Sequence, residues 1–255
     1  MASSTVSTGD PAAAPASPGA EQPEGGGRGR CVAIIMDGNA RWAEARGLPV
    51  LEGHREGAQT LKRTVRHAVA LGIRELTVYA FSTENWTRPT AEVRGLMKMF
   101  AELIDSETPE LGEEGVRMVF IGRRERVTRR LRDRMAWAER QTAQNERMTL
   151  YVAFNYGGRA EIVDAARRLL GEERSGTRQE VTEETFSRYL YAPEMSDPDI
   201  LIRTSGEQRL SNYLLWQSAY SELVFSEKLW PDFDRADLES ALAEFEARRR
   251  RFGAR

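Results

Sequence analysis

The sequence predicts an α/β fold, a single domain with a mostly parallel central sheet flanked by helices. Short continuous apolar runs, of the kind expected of strands covered on both faces, alternate with segments whose apolar residues recur at helical spacing. Such alternation folds into parallel strands joined by crossover helices. The polar motifs follow those runs directly, at the carboxyl ends of the strands, where sheets of this type gather ligands. At 255 residues, with 40% hydrophobic and 8% aromatic content, the chain is long enough for one substantial core.

Residues 1–28 are Ala, Ser, Pro and Gly with almost no large apolar side chain, too little to offset the entropy of ordering, and read as a disordered tail ahead of a folded domain at 29–255. CVAIIM, from Cys31, is the first strand and runs into a turn at Asp37-Gly38-Asn39. Ala58, Leu61, Val65, Ala68 and Val69 place a helix from about His54 to Leu71, stopped by Gly72, and ELTVYAF is the second strand. A helix starts near Pro89 (EVRGLMKMFAELI), followed by a strand from Val116 to Gly122, a charged helix RRLRDRMAWAERQTAQ and a strand TLYVAF ending at Asn155. A helix after Gly158, a short one around Thr182 to Leu190, a strand DILIRT and a last helix from about Asp237 to Arg251 complete the pattern. The Arg/Glu-rich stretch from Arg123 to Arg147 reads as a solvated helical face.

Thirty-seven basic residues against 39 acidic ones leave a net charge of −2, so no global field draws the protein onto nucleic acid or anionic lipid, and any anion site is a local cluster. Nearly all the positive charge is arginine, which suits forked contacts to diphosphate. The single Cys31 sits in an apolar run and forms no internal disulfide, which fits a reducing cytoplasm. No signal peptide is visible and no run approaches the roughly 18 apolar residues of a membrane span. With His54 and His67 the only histidines beside that cysteine, a metal here is expected to be oxygen-ligated.

Three segments carry candidate chemistry. Asp37-Gly38-Asn39-Ala40-Arg41-Trp42 places a carboxylate at a strand end, then small residues, then an arginine; a helix starting near Asn39 would make an anion pocket beside an acid able to hold magnesium, with Asp37 as a plain helix cap the structural alternative. Ser82-Thr83-Glu84-Asn85-Trp86-Thr87-Arg88 ends the second strand with hydroxyls, an acid, an amide and an arginine before a helix-starting proline. Arg203 to Asn212 offers two arginines and the Ser211 hydroxyl around Gly206, a second diphosphate clamp, with Glu222 further on. Trp42 and Trp86 are candidates for the site's mouth, whereas Trp137, Trp216 and Trp230 read as structural. His54 is expected to precede a helix beside the anion pocket, His67 to lie mid-helix, and Glu92 is a lesser candidate that pairs with Arg88 or caps its helix.

At these residues the chain resembles the cis-prenyltransferases, the undecaprenyl diphosphate synthase-like family. From about Cys31 to Phe252 it joins MDGN, RW, FSTENW, NYGGR, DILIRTSGEQRLSN, LLWQSAY and LWPDF in one order, and it lacks both a GxxxxGK loop and a DDxxD pair. The resemblance implies a homodimer, a hydrophobic tunnel between sheet and helices, magnesium, and a catalytic domain at 29–255. It implies that Asp37 binds the metal, that Gly38, Asn39, Ala40 and Arg41 with His54 and Arg88 hold an allylic prenyl diphosphate, and that Arg203, Arg209, Leu210 and Ser211 hold isopentenyl diphosphate. Glu222 would complete the metal site, from its own chain or across the dimer. Asn85 with Ser82, or Asp37, would serve the departing proton, flanked by Thr83, Glu84 and Trp86. Membrane contact would be at most transient, for product release.

Three positions depart from the family pattern. Ala40 stands where a glycine is usual, Gln208 where some relatives carry histidine, and Val50 where an arginine usually contacts the allylic diphosphate. Losing that charge-assisted bond weakens donor binding by about 1.5–3 kcal/mol unless Arg46 or Arg55 takes its place. Small Ala58 and Ala80 in the expected tunnel wall favour a long product, and Phe154 opposes it.

Overall fold

Val32 and Ile34 face one side of the first strand and Ala33 and Ile35 the other, and all are buried, so both faces of the sheet must be covered. The computed structural model describes residues 31–174 and 180–248. The expected tail at 1–28 lies outside the described residues, as does the end of the expected last helix. The elements are β1 (Cys31–Ile35), α1 (Asn39–Glu44), α2 (Val50–Ala70), β2 (Glu75–Ser82), a 3-10 turn (Thr83–Thr87), α3 (Thr90–Glu113), β3 (Val116–Ile121), α4 (Arg129–Gln141), β4 (Met148–Tyr156), α5 (Gly158–Arg174), α6 (Glu183–Ser187), β5 (Ile200–Arg203), β6 (Glu222–Phe225), a second 3-10 turn (Trp230–Asp232) and α7 (Arg235–Ala247).

Six strands form one sheet in the order β3-β4-β2-β1-β5-β6, every pairing parallel. From β1 the chain moves first to one side, through β2, and later to the other, through β5. The crevice at this reversal opens beyond the carboxyl end of β1, where Asp37 stands. The larger core lies under α2, α3, α4 and α7 and includes Val32, Ile34, Leu76, Val65, Leu96, Met135 and Leu238; the smaller one, on the opposite face, is built on Ala33, Ile35, Tyr151, Leu201 and Tyr213.

Three elements differ from the sequence expectation. α2 begins at Val50, with Pro49 at its N-cap, so His54 lies within the helix instead of ahead of it. α3 continues through Pro109, because its apolar face persists through Ile104, Thr108 and Leu111, all buried. β6, four residues long, carries too little pattern to be seen in advance; it is fixed by pairing Glu222 to Ile200 and Phe225 to Arg203 on the edge of the sheet.

Candidate active site

A cleft of about 860 Å³ opens beyond β1, β2 and β5, bounded by α1, α2 and α3. Asp37 is at its centre. Its backbone N–H donates to Thr204 Oγ1 (2.9 Å), whose hydroxyl donates back to the Asp37 carbonyl (2.7 Å). Arg203 Nη2 donates to Asp37 Oδ2 (2.8 Å), and Arg41 Nη2 lies 3.7 Å from Oδ1. Burial opposes ionisation of Asp37, but the hydrogen bond and charge of Arg203, joined by Arg41 and Ser205, outweigh it and hold the carboxyl below the usual aspartate range. Asp37 is therefore a carboxylate at neutral pH, with a third of its side chain open to the cleft.

The next residues are shaped by close packing. Gly38 has φ +109°, and a Cβ there would meet Leu229 Cδ2 at 2.9 Å. Asn39 opens α1, and α2 comes so near it that a Cβ on Gly53 would lie 2.1 Å from the Asn39 carbonyl oxygen, and one on Gly57 2.3 Å from Asn39 Oδ1. That Oδ1 is buried against Gly57, with no hydrogen-bond partner among the described residues. Ala40 lines the cleft, and Arg41 is aimed by donating to the carbonyl (3.1 Å) and hydroxyl of Ser205.

Along α2 and α3, His54 Nε2 lies 3.4 Å from Arg88 Nη1, and Arg88 Nη1 donates to Glu92 Oε1 (2.9 Å). Burial, reinforced by the Arg88 charge and only partly offset by Glu92, pushes the His54 pKa down to about 4, so the ring is neutral. Val50 lines the same wall, and the two arginines closest to it in sequence are engaged elsewhere. Arg46 stacks over Trp42 (4.1 Å) and bonds Asp232, while Arg55 pairs with Glu52.

On the opposite wall Arg203, 3% exposed, is committed to Asp37, to Ser211 Oγ (2.8 Å) and to the Arg209 carbonyl. Arg209, its side chain 59% exposed and paired with Glu207, is the open cation of this wall. Ser211 and Asn212 adopt φ +49° and +63°, and Asn212 holds that turn by donating to Glu84 Oε1 (2.9 Å) and accepting from Arg159 N (2.9 Å). Ser82 and Asn85 face the cleft between the walls. The Ser82 N–H donates to Asn85 Oδ1 (2.9 Å), so it is the amide NH₂ of Asn85 that is left to meet a ligand.

Not every candidate joins this cleft. Trp42 donates to Asp232 Oδ1 (2.8 Å) on its far side. Thr83 and Trp86 face a separate groove with Arg123 and Arg126; the indole donates to Asn155 Oδ1 (2.6 Å) and lies under the Arg126 guanidinium. Leu210 packs on the smaller core. Glu222 pairs in register with Ile200, and through it with Val32, at the end of the sheet away from Asp37, and bonds Arg248 (2.9 Å). Conversely, Thr204, Ser205 and Asn212 were not singled out from the sequence, although all lie in the Arg203 to Asn212 segment. The position of Thr204 directly after the DILIR strand was the available signal, whereas its nearness to Asp37, 167 residues away, is a tertiary fact. Trp230, read as structural, is fully buried and bonds the Gly57 carbonyl (2.8 Å) while also closing the cleft floor.

Past Ala58, Leu61, Ala80, Phe100 and Leu103 the cleft continues into an apolar chamber of about 60 Å³ between sheet and helices, lined further by Phe154, Met118 and Leu150. The site thus joins a polar mouth, with arginines gathered around the Asp37 carboxylate, to a hydrophobic interior. Among the described residues no helix is long and apolar enough to cross a membrane.

Comparison with known proteins agrees with this geometry. Residues 35–253 match the family model described as putative undecaprenyl diphosphate synthase. An isoprenyl transferase of Thermotoga maritima is 52% identical over 87% of this chain and 95% of its own length, and isoprenyl transferase 1 of Streptomyces coelicolor is 50% identical over 87% and 81%. Among solved structures, lavandulyl diphosphate synthase from Lavandula x intermedia in complex with dimethylallyl diphosphate superposes with a TM-score of 0.86 at 38% identity, covering 89% of this chain and 99% of that one. A probable undecaprenyl diphosphate synthase from Campylobacter jejuni gives 0.75 at 29% identity, with coverage of 89% and 99%. A six-stranded parallel sheet whose switch point carries this carboxylate and these arginines, matched over nearly its whole length by isoprenyl transferases, places the chain in the undecaprenyl diphosphate synthase family of prenyltransferases.

Proposed function

We propose that the protein is a magnesium-dependent cis-prenyltransferase that condenses an allylic prenyl diphosphate with isopentenyl diphosphate to give a (2Z)-polyprenyl diphosphate. The observation that carries this reading is the continuity of the arginine-rich cleft around Asp37 with the apolar chamber behind it. A diphosphate belongs in the first and a hydrocarbon chain in the second.

The donor's diphosphate lies against Gly38, Asn39, Arg41, His54 and Arg88, whose charge and N–H groups favour its departure. The allylic C–O bond breaks and the electron pair leaves with the diphosphate. The double bond of isopentenyl diphosphate, whose diphosphate is held by Arg209 and Ser211 with Arg203 behind them, then supplies the electrons of the new carbon–carbon bond, and a proton leaves C2. Asn85 and Ser82 border the path of that proton. An amide is a poor base, so Asn85 orients the group through its NH₂ while a diphosphate oxygen or water accepts.

The donor set fits magnesium. That ion takes hard oxygen ligands, commonly one or two carboxylates completed by substrate phosphates and water. Asp37 is such a ligand, ionised and partly open to the cleft. Bound there, magnesium would offset the charge of the departing diphosphate. Glu222 is remote from Asp37 in its own chain, so a metal role for it requires a second copy. The proposal accordingly includes a homodimer, along with a cytoplasmic location and only transient membrane contact.

A second reading, a short-chain product or a different acceptor, is favoured by Val50 in the donor wall, by the small chamber and by the likeness to a lavandulyl diphosphate synthase. One experiment separates them. Purified protein is incubated with magnesium, labelled isopentenyl diphosphate and, separately, dimethylallyl, geranyl, farnesyl or geranylgeranyl diphosphate, and the products are sized. Long polyprenyl diphosphates, abolished by EDTA and reduced about 10²–10³-fold in Asp37→Ala, are the expected result. Short products alone would establish the second reading, and activity that survives EDTA would remove the metal.

A further inference from the structure

Lys62 and Glu107 are the two ionisable side chains that line the apolar chamber. Lys62 belongs to α2 and Glu107 to α3, and Lys62 Nζ lies 2.7 Å from Glu107 Oε2 and 2.9 Å from Glu110 Oε2. Arg66 extends the strip with bonds to Glu110 (2.5 Å) and Glu114 (2.8 Å). Side-chain exposure rises from 11% at Glu107 through 19% at Lys62 to 48% at Glu110, so the strip runs from the chamber wall out to solvent along the seam between the two helices.

The remainder of the chamber wall is hydrocarbon and aromatic, and its volume of about 60 Å³ is well below the roughly 300 Å³ or more of an ordinary ligand pocket. A growing isoprenoid must therefore displace wall side chains as it enters. An apolar guest replaces contacts between apolar side chains with equivalent ones. It offers nothing to an ammonium or a carboxylate, and parting that pair would leave the buried Glu107 carboxylate without its cation beside hydrocarbon, while Lys62 keeps Glu110. Apolar wall and ion pair thus differ in kind as obstacles.

We propose that the Lys62–Glu107 pair is the chain-length stop of this enzyme, closing the seam between α2 and α3 to the advancing end of the product. The proposal rests on the polyprenyl diphosphate synthase reading, and its test has one arm that does not need turnover. In Lys62→Met/Glu107→Met both charges are removed together, so no buried charge is left unpaired. The longest product should grow by one or more isoprene units. In the second arm, saturated n-alkyl diphosphates of increasing length are titrated calorimetrically. Affinity should rise with length and level off, and the plateau should move to longer chains in the variant. Lys62→Arg, which keeps the pair, should retain the wild-type limit in both arms.

Identical product limits and identical plateaus in wild type and the double variant would overturn the stop, as would an equal shift in Lys62→Arg. A shifted plateau with no condensation in either protein would remove the synthase reading, and with it a stop on product length, while keeping the pair as the limit of the alkyl site. If the double variant does not fold, Lys62→Met/Glu107→Gln is read in the same two ways.

Discussion

The two walls of the polar cleft are held in place by different forces. The strand-end wall, Arg203 to Asn212, is a chain of hydrogen bonds: Thr204 to Asp37, Arg203 to Asp37 and Ser211, and Asn212 to Glu84 and Arg159. The links of Thr204 and Arg203, which are partly buried, cost stability when a partner is removed, because a polar group is left unpaired away from water, whereas those of Asn212 are exposed. The helical wall, Gly38 to Arg41 with α2 and α3, is placed chiefly by close packing, Gly53 against the Asn39 backbone, Gly57 against the Asn39 and Trp230 side chains and Gly38 against Leu229, with polar contacts among His54, Arg88 and Glu92 and from Arg41 to Ser205. One wall is fixed by bonds and the other by fit. A wall fixed by fit can change a lining residue without breaking a network, and it is there that Val50 and Ala40 depart from the family pattern. Breaking each wall by its own mechanism tests the distinction.

The largest effect is expected at Gly53. An added methyl there meets the Asn39 carbonyl at 2.1 Å, and backbone cannot swing aside. Gly53→Ala should destabilise the fold by about 1–3 kcal/mol through overpacking and push α1 away from α2. Denaturant unfolding reads the first effect, and a raised KM for the allylic donor with the KM for isopentenyl diphosphate little changed reads the second. Equal changes in both Michaelis constants would show that the walls are mechanically one.

The same contrast explains how much of the site was legible in the sequence. The strand-end wall is a contiguous segment following a recognisable strand, so Arg203, Arg209 and Ser211 could be named from local order alone. Asp37 and Arg41 were legible for the same reason. Gly53 and Gly57 were not assigned their work, because the object they approach, Asn39, belongs to another helix and the distance between helices is a tertiary fact. Trp86 illustrates the converse. It sits inside a motif that faces the cleft at Ser82 and Asn85, yet its indole bonds Asn155 from β4 and turns into the neighbouring groove. The sheet and its helices were readable from period and length, whereas β6 was not, since four residues carry no period and the strand exists by its pairing with β5.

A second effect, comparable to or somewhat below the first, concerns the charge state of the helical wall. The folded pKa of His54 is pushed down to about 4 by burial and the Arg88 charge, against about 6.5 in an unfolded chain. Between those values the unfolded state binds a proton that the folded state does not, so stability rises with pH across that window. The contribution is complete above about pH 6.5 and is lost as the pH falls toward 4, a total on the order of 3 kcal/mol. Asp37, held below the ordinary aspartate range, titrates lower and does not contribute in the upper part of this window. His54→Asn should flatten the unfolding free energy between about pH 5 and 6.5 relative to wild type. Parallel curves would mean that His54 is not neutral through burial, and that the helical wall carries one more positive charge toward the donor.

The smallest effect is the most informative about substrate. Val50 is the first residue of α2 and lines the cleft. The two arginines closest in sequence are engaged elsewhere, Arg46 on Trp42 and Asp232 and Arg55 on Glu52. Val50→Arg would place a guanidinium at the donor side of the wall without breaking a hydrogen bond. If that wall holds the allylic diphosphate, donor KM should fall about tenfold, the lower end of a charge-assisted bond, with kcat and the isopentenyl KM nearly unchanged. An unchanged donor KM would show that this wall already saturates its ligand's charge. A gain confined to one donor length would instead tie Val50 to the choice of donor, because the side chain would then be acting on how deeply the hydrocarbon seats and not on the diphosphate alone.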